Sequence, residues 1–284
     1  MTASPWSEWR TWAERLETPS DRLHVFREDG SIERYPEVAA LIGCPQDPTW
    51  HPEGDVWTHT LHVCDAAAHI ARRDEVSAQQ RAVLLLAALC HDLGKPATTV
   101  MLGGRWRSPG HAALGVAPTE ALLARINCPP NVVAATARLV REHMAYLDLP
   151  LRARPVRRLI ARLAPATIPQ WARLVEADHS GRPPLPPDAP AAPFVALAEG
   201  LAASTEEDRP APILTGRQLL AAGVSPGPRM GQSLQDAYDA QLCGLFDSVE
   251  SGLRWIEDHT ADYTTASGPS DDTLVTDRVV LDAS

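Results

Sequence analysis

Apolar side chains recur every three to four positions along most of this chain, the spacing that turns one face of an α-helix toward a core. The run VWTHTLHVCDAAAHIARR predicts a helix over residues 56–73. SAQQRAVLLLAALCHD predicts a second, with Ser77 as N-cap and Gly94 as the stop. HAALGVAPTEALLARI starts a third after Pro109-Gly110, with Pro118 placed to kink or divide it. PPNVVAATARLVREHM predicts a fourth, opened by Pro130 or Asn131, and RPVRRLIARL and TIPQWARLVEADH a fifth and a sixth. Ahead of these, residues 4–17 and 35–42 read as short amphipathic helices joined by the turn-rich REDGSIERYP. MLGGRWRSPG reads as a loop or a small hairpin.

The pattern then changes. GRPPLPPDAPAAP (181–193) is too rich in proline for regular structure and reads as a linker or wrapping segment. A short helix is predicted at 194–203, and STEEDRPAP is a second polar break. TGRQLLAAG, GPRMGQSLQDAYDAQLCGLF and SVESGLRWIED read as helical, and the polar stretch beyond as a flexible tail, with TLVTDRVVL as a stray strand. No internal repeat is visible. The expectation is an all-α protein: an N-terminal helical segment (1–50), a helical domain (51–182), a Pro-rich linker with a short helix (183–212), a C-terminal helical region (213–258) and a tail (259–284).

Composition adds limits. With 284 residues, 44% hydrophobic and 22% charged, the chain is an ordinary globular sequence able to bury a core. A net charge of −10 argues against a large nucleic-acid surface, although residues 138–182 are locally rich in arginine. Cys44, Cys64, Cys90, Cys128 and Cys243 are odd in number, scattered and form no CxxC pair, which predicts reduced thiols in a cytoplasmic protein. No apolar run reaches membrane-span length, and MTASPWSEWRTWAERLE alternates charge with tryptophan unlike a signal peptide.

Histidines and aspartates gather at the ends of the predicted helices. His59 lies near the start of the first long helix, and His91-Asp92 ends the next. His111 opens the third, His143 ends the fourth, and Asp178 ends the sixth. Imidazoles and carboxylates together suit a divalent transition metal. Such a set leaves coordination positions for water and a phosphate oxygen, and a bound water then becomes a nucleophile near neutral pH. Any one of these residues alone is more often a cap or a surface group. The ordered set, with LGK following His-Asp, is improbable by chance.

The order His59, His91-Asp92, Asp178 resembles the HD-domain metal-dependent phosphohydrolases, and His111 and His143 match the extra histidines of members with a second metal. CPQDPTWHPEGDVWTHTLHVCDAA, LLAALCHDLGKPATT, SPGHAALG, LVREHM and EADHSGRP are similar to the HD region of bacterial CCA-adding tRNA nucleotidyltransferases. ILTGRQLLAAGVSPGPRMGQSLQDAYDAQLCGLF is similar to the tail of that family. The glycine turn and paired aspartates of that family's nucleotide-adding head have no counterpart, so the sequence reads as a head-less relative.

The resemblance implies one or two divalent ions (Mn, Ni, Co, Fe, Mg or Zn) on His59, His91, Asp92, His111, His143 and Asp178, with contact to the substrate phosphate as the alternative role of His111 and His143. It implies hydrolysis of a 2′,3′-cyclic phosphodiester or phosphomonoester of a nucleotide or RNA end by a metal-bound hydroxide. Asp92 and Lys95 are the expected catalytic residues, and Arg158 and Arg182 candidates for the substrate phosphate. A helix C-terminal lysine facing the helix dipole is the competing account of Lys95. His51, Glu53 and Asp55 are candidates to orient His59. His62 and His69 lie on the His59 helix; His62, three residues on, could share the site but is read as packing, and His179 is expected to point away from the site. The GVSPGPRMG segment is either a residual RNA contact or a structural turn. The alternatives to an enzyme are a non-catalytic tRNA- or RNA-binding module and a partner chain of a split tRNA nucleotidyltransferase. Neither a membrane nor DNA is an expected partner.

Overall fold

The central element is the helix that the sequence makes apolar all round. Ser77 caps its start through a reciprocal box with Gln80, and every residue from Ala82 to Cys90 is buried. A helix with no polar face has to lie inside a bundle. In the structure, a computed structural model that describes residues 5–203, 210–224 and 226–264, helix α5 (Ala78–Cys90) is packed by α1 (Pro5–Arg15), α4 (Val56–Arg73), α9 (Pro130–Glu142) and α11 (Ile168–Ser180). Among the described residues, the only sheet is a two-stranded hairpin, β1 (Val100–Leu102) and β2 (Arg105–Arg107). The protein is therefore all-α.

The chain divides into two compact units, Met1–Asp208 and Arg209–Ser284. In the first, the N-terminal helices share one core with α4 and α5. Trp9 meets Trp12 and Tyr35 edge-on at 5.3 and 5.0 Å between ring centroids. Helix α2 (Pro19–Glu28) lies where the sequence reading gave no helix, although Thr18 with Pro19 at the first helical position is a legible start. It is tied to α4 by Ser20, whose amide and hydroxyl donate to Asp65 at 3.0 and 2.6 Å. The expected helix at 35–42 is a single turn, α3 (Pro36–Ala39). The Pro-rich stretch ends in α12 (Ala192–Ala203), whose Phe194 stacks edge-on with Trp171 of α11.

The division expected near Pro118 falls elsewhere. Helices α7 (His111–Leu114) and α8 (Val116–Arg125) part at Gly115, and Pro118 lies in the first turn of α8, where its missing N–H costs nothing. Short α6 (Lys95–Thr98) leads into the hairpin, and α10 (Ala153–Leu163) precedes α11. The hairpin forms because Gly103 and Gly104 both take positive φ, 58° and 76°.

The second unit has its own small core of Leu214, Leu219, Ala237, Ala240, Phe246 and Ile256. It is built from α13 (Gly216–Ala221), α14 (Pro228–Leu242) and α15 (Val249–Thr264). Gln241 joins its pieces by accepting from the Ile213 amide at 2.7 Å and donating to the Ala211 carbonyl at 2.8 Å. The stretch TLVTDRVVL lies outside the described residues.

Candidate metal centre

Five helices deliver their ends to one point. Helix α5 runs straight into His91 and Asp92, buried to within 1%. Asp55 caps α4 through the Thr58 amide at 2.9 Å and so sets the phase that turns His59 inward. Trp171 of α11 donates its indole N–H to the Glu142 carbonyl at 2.7 Å, and Arg162 grips the Glu142 carboxylate with Nε 3.0 Å from each oxygen. These contacts fix the end of α9, where His143 follows.

Two glycines allow the close approach. A Cβ on Gly94 would lie 2.1 Å from the His111 carbonyl oxygen and 2.7 Å from the Gly115 nitrogen. Gly94 has ordinary right-handed helical angles (φ −83°, ψ −15°), so its expected role as a helix stop is corrected: it is there to let α7 touch it. A Cβ on Gly181 would lie 2.4 Å from Val63 Cγ2 and 2.9 Å from the Val63 nitrogen. That contact seats the end of α11, and with it Asp178, against α4.

The result is two overlapping clusters. In the first, His59 Nε2 lies 3.0 Å from Asp178 Oδ1 and 3.3 Å from His91 Nε2, and Asp92 Oδ2 lies 3.1 Å from His91 Nε2. In the second, His111 Nε2 lies 3.2 Å from His143 Nε2 and 3.4 Å from Asp92 Oδ1. The structure thus brings together all six residues singled out from the sequence.

The hydrogen bonds on the far sides of the rings set their tautomers. Carbonyls can only accept. His91, His111 and His143 therefore each donate from Nδ1, to Ala88, Ser108 and Val140 at 2.8, 2.8 and 2.7 Å, and turn an Nε2 lone pair inward. His59 Nδ1 faces the Glu53 carboxylate at 2.7 Å and the Gly181 carbonyl at 3.2 Å. Lone pairs facing one another at such separations repel unless a proton or a cation lies among them. Neither Asp92 oxygen receives a hydrogen bond of acceptable geometry, although Lys95 Nζ stands at ion-pair distance, 2.7 Å from Oδ2. A buried carboxylate in that state calls for a cation. The donor set of imidazoles and carboxylates suits divalent metals, and both clusters can hold one.

The electrostatics agree. Against its burial, Asp92 is held well below the usual carboxylate range by His91 and Lys95. Asp178, with 13% of its side chain exposed, is likewise held well below the usual range against desolvation, by His59 and His91. His59, also against its burial, is raised to about 9 by Asp178 and Glu53, so a proton there occupies the place of a cation. Burial and then the neighbouring His111 and His91 push His143 down to about 3, which keeps it a neutral imidazole. Against burial, hydrogen bonds with His51 and His59 hold Glu53 at about 2.

Behind the clusters, Glu53 orients His59 and is itself held by His51 at 2.9 Å, while Asp55 serves as a helix cap. Lys95 starts α6 instead of ending a helix, which removes the helix-dipole account of it. It is 8% exposed and donates to Gln46 at 2.6 Å. Asp92, His111, His143 and Asp178 form the floor of a cleft of about 610 Å³ that Lys95 and Arg182 also line, with His59 and His91 buried beyond it. Arg158 is exposed on α10 and is not among the cleft's lining residues. His62, read as packing, is exposed, as is His69. His179 was expected to point away, but it lines the cleft and lies 2.7 Å from the Tyr146 hydroxyl, because α11 ends there and consecutive residues both reach the cavity. Sequence reasoning also passed over Gln46, Trp50, Trp106 and Tyr146 in the lining. Their one signal was nearness in sequence to His51, His111 and His143.

Among the described residues, no helix is long and apolar enough to cross a membrane. The sequence matches the HD domain family over residues 56–176. It is 36% identical over 231 residues to the Multifunctional CCA protein of Xanthomonas oryzae pv. oryzae (strain MAFF 311018), covering 79% of this chain and 52% of that one. The Multifunctional CCA protein of Halorhodospira halophila (strain DSM 244 / SL1) is 37% identical over 148 residues, 51% of this chain and 33% of its own. That of Xylella fastidiosa (strain M23) is 36% identical over 171 residues, 58% and 39%. The chain spans about half the length of the first of these relatives. HD domains bind divalent metals, and the helix ends, the inward lone pairs and these matches agree: residues 56–176 of this chain are an HD domain, and the chain is an HD-domain protein.

Proposed function

We propose that the protein is a metal-dependent phosphohydrolase acting on phosphoesters of nucleotides or RNA ends, a 2′,3′-cyclic phosphodiester or a phosphomonoester. The observation that carries this reading is the division of Asp92: Oδ2 faces His91 and His59 at 3.1 and 3.9 Å, while Oδ1 faces His111 at 3.4 Å. One carboxylate spanning two imidazole sets suits a pair of ions. His59, His91, Asp92 and Asp178 would hold the first, and Asp92, His111 and His143 the second. Bound divalent ions would supply Lewis acidity toward a phosphate oxygen and an acidified water.

The remaining chemistry belongs to the chain. Lys95, held between Asp92 and Gln46, keeps a positive charge beside the cleft floor, where charge on a phosphoryl group develops. Arg182 lines the same cleft, with a planar guanidinium suited to phosphate oxygens. The buried floor excludes water from around these charges, which strengthens their effect. The likeness to Multifunctional CCA proteins supports RNA ends within the substrate class.

The test is hydrolysis by metal-stripped protein across added Mn, Ni, Co, Mg and Zn, with 2′,3′-cyclic AMP and an aryl phosphate as substrates. Metal-dependent turnover that disappears in Asp92→Ala is the expected result. Full activity in that variant, or silence with every metal in a folded protein, would overturn the reading, and tight RNA binding without hydrolysis would favour a binding module.

A further inference from the structure

At the mouth of the cleft the lining changes from metal-ligand types to aromatic and basic groups. Trp50 is 59% exposed and Trp106 is half-buried, and both line the cleft. Trp9, Trp12, Trp57 and Trp171 of the same unit are at most 2% exposed. An indole left in water forfeits a large burial gain, so an exposed one at a cavity mouth marks a contact surface.

The exposure is built into the fold. The Asp47 carbonyl accepts the amides of Trp50 and His51 at 3.0 and 2.9 Å, closing the turn that carries Trp50. The Asp47 carboxylate takes the Thr49 amide at 3.0 Å and, with its other oxygen, Arg105 Nε at 2.7 Å. Arg105 immediately precedes Trp106 in β2. A single carboxylate therefore ties both tryptophan-bearing segments to one edge of the cleft. Below them, Lys95 and Arg182 offer positive charge in a chain whose net charge is −10. The cleft's size is that of a small-ligand pocket.

We infer that Trp50 and Trp106 form a base-stacking platform at the cleft mouth, so that this site takes a nucleotide: base on the indoles, phosphate on Lys95 and Arg182. A flat aromatic base stacks on an indole whatever its sequence identity, and each stacked base contributes enough affinity to measure. The inference rests on the phosphoester reading of the cleft floor, and the following experiment separates the two.

The full chain, stripped of metal by chelation so that nothing is turned over, is titrated with AMP and with ribose 5-phosphate by calorimetry. AMP is expected to bind at least about fivefold tighter, the low end of one stacked base. Trp50→Ala and Trp106→Ala should each erode most of that difference and leave ribose 5-phosphate binding unchanged, while Trp50→Phe, which keeps a stacking face, retains it. Trp50 is exposed, so its variants keep the core intact. Equal affinity for the two ligands, no saturable AMP binding, or wild-type AMP affinity in both alanine variants overturns the platform. Base-dependent binding in a protein that hydrolyses no phosphoester would sink the proposed activity and keep the platform. Hydrolysis indifferent to the base would do the reverse.

Discussion

The cluster of His59, His91 and Asp178 is carried by three long helices, α4, α5 and α11, and has Glu53 behind it. The cluster of His111 and His143 hangs on the four-residue α7 and the end of α9, and its one carboxylate, Asp92, is shared with the first. A dication between two carboxylates comes close to charge balance in a buried site. The same ion beside one shared carboxylate keeps excess positive charge. On the proposed two-ion reading, the first cluster would hold an ion tightly, and the second would hold one more loosely and leave positive charge for an anionic ligand. Each cluster has one side chain open to the cleft, His111 at 12% and Asp178 at 13% exposed, whereas His59 and His143 are buried.

The largest expected effect is on the shared residue. Asp92→Ala should abolish both ions together, read as metal content by elemental analysis after dialysis. A variant that kept one ion at full occupancy would show that Asp92 belongs to one cluster alone.

The two contact glycines separate the clusters. Gly94→Ala drives a Cβ into the backbone of α7, which cannot swing aside as a side chain can. Overpacking of that kind costs about 3 kcal/mol and should displace His111, so the looser ion is lost while the tighter one stays. Gly181→Ala meets Val63 at 2.4 Å, partly through its side chain, and should cost about 2 kcal/mol. It should loosen Asp178 and His59 and reverse the order of loss. Denaturant unfolding together with ion stoichiometry reads both effects. Identical metal loss in the two variants would show that the clusters form a single cooperative site.

The six clustered residues were legible in the sequence because each lies where a helical pattern ends, and because His91-Asp92 is followed by Gly94-Lys95. The all-α class was legible from the apolar period. The reason for Gly94 was not, since a backbone contact with residue 111 leaves no trace in local pattern. His179 was set aside on helical phase, a rule that weakens in a last turn where the chain stops against a cavity. Arg158 drew notice as part of an arginine-rich stretch, but composition does not say which face of α10 meets the cleft. Several of its neighbours have structural partners: Arg162 holds Glu142, and Arg173 holds Asp74 at 2.7 Å. The α2 helix was passed over because its apolar positions, Leu23 and Phe26, are few and its start lies in the Thr18-Pro19 pair.

The smallest expected effect tests whether the first cluster owes its strength to what stands behind it. Glu53→Gln keeps the shape and an accepting oxygen but removes the negative charge facing His59 Nδ1. Loss of the anion lowers the basicity of the imidazole and frees its orientation, a change that costs about 10–100-fold in metal affinity in comparable sites. His51 loses the same partner, yet it touches neither His111 nor His143 through any hydrogen bond among the described residues. Chelator competition with Mn should therefore show the tighter ion weakened and the looser one unmoved, bringing the two affinities together. Equal weakening of both would mean that Glu53 acts through the net charge of the whole floor. An unchanged tighter ion would mean that the Gly181 carbonyl alone suffices to hold the His59 ring.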